Sequence, residues 1–169
     1  FHADNRRPQV PQRATETTLR VVTLNLENYF NGDGHGVGFP TPRGAETPEQ
    51  FTLQKRRLAA TLTAPAPDII AVTELENDGH GEDSAIATLA RTLGPDWRHV
   101  VSPDGSGNDA IQTGLLYRSD RVEPLGRADR LSAPPYHRQG RRHLAQIFRP
   151  LGQAASVRIF VPHLKSKAC

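Results

Sequence analysis

Cysteine is almost absent from the 169-residue chain: the single one, Cys169, is the last residue, so no disulfide can form within the sequence. Methionine is missing altogether, and Phe1 therefore reads as the start of a trimmed product. No apolar run approaches the roughly 20 residues a helix needs to cross a bilayer, and no signal-peptide core is visible, so no membrane partner is expected. Charge of one sign is also scarce. A net charge of +3 with a pI near 9.4 is compatible with a polyanionic partner, but the excess is small for a protein that coats DNA.

What is present suits a single globular core. Hydrophobic residues make up 36% and charged residues 23%, which excludes wholesale disorder, and the length suits one domain. Residues 1–18 are polar, with arginines and prolines, and predict a flexible arm; residues 19–169 form the domain. Leu19 to Leu26 is β-branched and partly alternating, as a core strand requires, with Asn25 near its end. The glycine- and proline-rich stretch from Tyr29 to Thr47 predicts a long loop. Thr47, Pro48 and Gln50 then supply helix-start chemistry. Phe51, Leu58 and Leu62 continue on one face, giving a helix over 48–63 that Pro65 and Pro67 end.

Asp68 to Thr73 is a short unbroken apolar run, the pattern of a strand buried on both faces, and Glu74 follows directly. Asp83 to Leu93 has helical spacing and stops at Gly94-Pro95. Strands are predicted over 97–101, 111–117, 142–148 and 157–163. Strand, helix, strand, helix and then a run of strands predicts a mixed α/β sheet.

Four places carry candidate chemistry. Asn25, taken alone, reads as a turn residue. Glu74 at the edge of the core needs a compensating cation or basic partner, and a hard divalent ion such as Mg²⁺ and a structural ion pair satisfy that need equally well. His163 alone reads as a structural or solvated residue, but with Lys165 and Lys167 beside it makes a cationic strand end able to hold a phosphate. Arg138, Arg141, Arg142 and His143 form a second basic cluster, for which a solvated surface is an equal alternative.

The ordered segments TLNLEN (23–28), IIAVTELEN (69–77), DAIQTGLLYR (109–118), RRHLAQIF (141–148) and VPHLKSK (161–167) together resemble the endonuclease/exonuclease/phosphatase superfamily, and more narrowly its bacterial extracellular nucleases. The resemblance implies a four-layer α/β sandwich, two packed mixed sheets flanked by helices, of which the C-terminal portion is missing. It implies metal-dependent hydrolysis of nucleic-acid phosphodiesters, DNA or RNA, with Mg²⁺ or Mn²⁺ as cofactor. Asn25 matches the asparagine that orients metal and phosphate, Glu74 the metal-binding glutamate, and His163 the histidine that hydrogen-bonds the scissile phosphate. Arg142 and Lys165 fall at substrate-side positions, although His143 stands where proline is common. Tyr117 and Arg118 fit the central strand.

The family's Gly-Asp-x-Asn and Ser-Asp-His segments do not follow Lys167. The chain alone is therefore expected to be inactive, with half of the sandwich to be supplied by a second chain or a C-terminal segment. Secretion is also expected, with Cys169 as half of a disulfide. The alternatives are a phosphomonoesterase or lipid phosphodiesterase on the same scaffold, or a non-catalytic nucleic-acid-binding fragment.

Overall fold

A computed structural model describes residues 12–15, 17–131, 133 and 142–164. The elements run β1 (Val21–Tyr29), α1 (Pro48–Thr63), β2 (Ile69–Glu76), α2 (Ala85–Leu93), β3 (Trp97–His99), β4 (Ile111–Arg118), β5 (Val122–Leu131), β6 (His143–Pro150) and β7 (Val157–Val161). One sheet has the order β1-β2-β4-β3, the other β5-β6-β7. β1 and β2 are parallel and the remaining pairs antiparallel, so the first sheet is mixed.

The first helix begins as the sequence predicts. The Thr47 side chain accepts the Gln50 N–H at 3.2 Å and Pro48 takes the first helical position of α1. The second helix starts two residues later than its apolar spacing suggests, because Ser84 is spent as the cap, accepting the Ala87 N–H at 3.4 Å.

β2 divides the core. Ile70, Val72 and Leu75 pack with Leu62 of α1 and Ile86 and Leu89 of α2. Ile69 and Ala71, on the other face, pack with Leu115 of β4 and with Val122, Leu144, Phe148 and Val161 of the second sheet. The layers are thus helices, first sheet, second sheet. Gly114 on β4 makes the helix contact possible: a Cβ there would stand 2.9 Å from Ile86 and 3.1 Å from Leu75.

Three expectations need correction. The sheet β5-β6-β7 is present and packs on the first, where the sequence reading has half of the sandwich supplied from outside the chain. The uncovered surface among the described residues is instead the outer face of β5-β6-β7, where Leu131 and Phe160 are exposed. β5 itself is absent from the sequence-based reading. Pro124, Gly126 and a register shift between Leu125 and Asp129 break its alternation, and an edge strand tolerates all three. The strand expected over 68–73 continues to Glu76, so Glu74 lies within β2, not after it. The arm, expected to reach Thr18, falls mostly on residues 1–11, outside the described residues. Arg13 is docked on Asp68, at 2.7 and 2.9 Å.

Candidate active site

A bulge turns Glu74 towards the second sheet. Between Val72 and Leu75 the chain of β2 advances three residues while its partner β4 advances two, from Gly114 to Gln112. Strict alternation from Ile70 and Val72 would point Glu74 at the helices. The extra residue keeps Leu75 on the helix side and releases Glu74 from it. The backbone registers the cost, since Glu74 has φ +58°, an uncommon value for any residue but glycine. β1 is irregular at the same level: Asn25 pairs with Thr73, the register then shifts, and Glu27 and Asn28 also have positive φ. Asn25 is exposed, with its Oδ1 accepting the Glu27 N–H at 2.9 Å.

Strand directions bring the remaining residues to this end. β2 and β4 are antiparallel, so the C-terminal end of β2 lies beside the start of β4. In the second sheet Leu131 pairs with His143, and Leu144 with Val161, which groups the end of β5, the start of β6 and the end of β7. His163, two residues beyond β7, places Nε2 3.9 Å from Glu74 Oε1. That is an ion-pair distance, too long for a hydrogen bond. The His163 backbone N–H donates to His143 Nδ1 at 3.1 Å. Burial pushes the His143 pKa down, which favours the neutral ring, and accepting the His163 N–H makes Nδ1 its unprotonated nitrogen. The histidine at a position where proline is common therefore anchors its neighbour.

Arg142 is exposed and belongs to the same end, its Nη1 donating to the Asp104 carbonyl at 2.9 Å and its backbone N–H to the Ser106 carbonyl at 3.2 Å. Asn77 closes the loop containing these residues, donating to the Gly107 and Asp109 carbonyls at 3.0 and 2.8 Å. Tyr117 and Arg118 sit at the far end of β4, where Arg118 pairs with Asp120, and take no part. Lys165, Lys167, Cys169, Arg138 and Arg141 lie outside the described residues.

Two further charged groups at this end escaped the sequence. Glu76 accepts the Asn31 N–H at 2.9 Å, and burial first, then the Asp78 carboxylate, pushes its pKa up to about 7. Arg130 on β5 is buried, and burial first, then Arg142, pushes its pKa down to about 10. A strand recognised over 122–131 would have shown Arg130 on the inward-facing positions.

A metal would find few donors here. Among the described residues no cluster of three His, Cys, Asp or Glu side chains could hold an ion. Glu74 offers one carboxylate, a sparse supply that suits Mg²⁺, which keeps several waters and takes few protein ligands, and does not suit an all-protein cage.

No protein-family profile and no curated protein matches the sequence. Solved structures do match the fold. A conserved protein of unknown function from Enterococcus faecalis V583 superposes with a TM-score of 0.54 at 13% identity, over 86% of this chain and 53% of that one. The human Nocturnin catalytic domain, solved with a bound sulfate anion, gives 0.55 at 19% identity over 88% and 50%. The likeness shows the fold alone, a mixed α/β sandwich of two sheets. The chain spans about half the length of these structures.

Proposed function

We propose that this end of the sandwich is the phosphate-binding half of a metal-assisted phosphodiesterase site that acts on nucleic acid. The observation that carries the proposal is the approach of His163, two residues beyond β7, to 3.9 Å from Glu74 on β2, with Asn25 on the neighbouring strand β1 and Arg142 immediately before β6. A strained bulge that re-aims a carboxylate is costly to keep without use. A bound sulfate in the human neighbour accords with oxyanion binding on this fold.

In this reading Glu74 and the Asn25 Oδ1 hold Mg²⁺ or Mn²⁺. The cation, when bound, supplies Lewis-acid stabilisation of charge developing on a phosphoryl oxygen. His163, its backbone fixed by His143, donates a hydrogen bond to a phosphate oxygen, and a donor placed where charge develops favours the transition state over the bound substrate. Arg142, with Lys165, attracts the polyanion. Secretion, with Cys169 in a disulfide, belongs to the same proposal; mass mapping of the unreduced protein checks it.

The test is a plasmid-nicking assay with Mg²⁺, run on residues 1–169 and on the full reading frame. Glu74→Gln should lower cleavage by about a hundredfold or more, the scale of losing one charge-stabilising group. His163→Ala should reduce turnover far more than substrate binding. Undiminished metal-dependent cleavage by Glu74→Gln sinks the assignment.

A further inference from the structure

Arg130 is a buried cation with no carboxylate partner among the described residues. Its side chain lies between the sheets, only 6% of the residue is exposed, and among the described residues no carboxylate lies within ion-pair distance. Neutral oxygens surround it. Nη1 donates to Thr113 Oγ1 at 3.2 Å and to the Arg142 carbonyl at 3.3 Å; Nη2 donates to Gln112 Oε1 at 3.1 Å and to the Thr113 carbonyl at 3.3 Å. Isolated charge is expensive to bury, so a purely structural residue at this position would be better served by an apolar side chain of the same size.

The acceptors indicate what the guanidinium does. Gln112 and Thr113 begin β4, under the site. Gln112 Oε1 also meets Ser106 Oγ, and its Nε2 donates to the Glu76 carbonyl at 3.0 Å, while the Ser106 carbonyl takes the Arg142 N–H. One rigid fork thereby ties the backbone of Arg142 from its carbonyl side, and through Gln112 and Ser106 from its N–H side. A lysine could not span these points.

We propose that Arg130 is a positioning residue that holds Arg142 in the place where it meets substrate phosphate. The inference rests on the phosphate-binding reading of the site, and its test separates the two. The probe is a fluorescein-labelled 12-nucleotide DNA in Mg²⁺ buffer, with affinity measured by anisotropy at several salt concentrations. Wild type, Arg130→Met, Arg130→Lys, Arg142→Ala and the Arg130→Lys/Arg142→Ala double variant are compared, each checked for a cooperative thermal transition.

Arg142→Ala should weaken binding about tenfold and reduce the salt slope by about one. Arg130→Met and Arg130→Lys should do the same, and the double variant should bind no worse than Arg142→Ala alone, because residues acting through one another are not additive. If the Arg130 variants do not fold, Gln112→Ala cuts the same tether and should show the same non-additivity. Wild-type affinity in Arg130→Lys, or losses that multiply to about a hundredfold in the double variant, overturns the proposal while leaving the phosphate site intact. No DNA binding by the wild type removes the phosphate reading, and this proposal with it.

Discussion

Asp68 and Glu74 are carboxylates at opposite ends of one strand, and the chain treats them in opposite ways. Asp68, immediately before β2, has its side chain 1% exposed and is held by Arg13, Arg121 and the Arg20 N–H. Burial alone would raise its pKa, but the hydrogen bonds from Arg13, Arg20 and Arg121 outweigh it and hold the carboxyl below the usual range. Glu74, near the other end, has its side chain 24% exposed, sits on a backbone with positive φ and has a histidine at 3.9 Å as its partner. The first end spends its charges on one another. At the second, Arg130 and Arg142 have no carboxylate within ion-pair distance among the described residues and Glu74 has a histidine for its partner, an arrangement that a charged ligand would balance.

Mutating the two carboxylates should break the comparison most visibly. Asp68→Ala leaves Arg13 and Arg121 without their anion, and breaking a buried pair typically costs about 3 kcal/mol. Denaturant unfolding of Glu74→Gln should differ from wild type by less than about 0.5 kcal/mol. Equal losses for the two variants would mean that Glu74 is structural as well.

Next in size is relief of the bulge. Glycine adopts φ +58° without strain, so Glu74→Gly should unfold at higher denaturant, by roughly 1 kcal/mol, while removing the charge that the proposed site needs. A destabilised Glu74→Gly would show that the carboxylate contributes to packing and not to function.

The dependence on pH sharpens the comparison by its sign. Because the folded pKa of Asp68 is depressed, its stabilisation is present above the unfolded value of about 3.9 and is lost as pH falls through the folded value. Glu76 has the opposite sign. Its folded pKa is raised to about 7, so stability is lost as pH rises from the unfolded value of about 4.3 through 7. Glu76→Gln should therefore melt higher than wild type at pH 8 and like wild type near pH 4. Thermal melts across that range check both signs.

Much of this was legible in the sequence, for identifiable reasons. The cap of α1, the Gly94-Pro95 stop of α2, the run DIIAVT and the apolar strand of β4 each carry a local pattern, and local patterns survive into the fold. Asn25, Glu74 and His163 could be singled out because each stands at the end of such a pattern. The bulge was not legible, since an extra residue changes the facing of Glu74 without changing its neighbours in sequence. Nor was β5, whose Pro124, Gly126 and register shift hide its alternation, and with it went Arg130. His143 was seen as a departure from the family pattern; only the folded contact with the His163 N–H gives it a role.

The measurement that bears most directly on the central claim is a Mn²⁺ titration of residues 1–169, followed by loss of the free-ion EPR signal, with and without the 12-nucleotide DNA. The account predicts saturable binding of one ion that tightens with DNA and disappears in Glu74→Gln, with the thermal transition unchanged. Binding that persists in Glu74→Gln, or none in the folded wild type with DNA present, contradicts it.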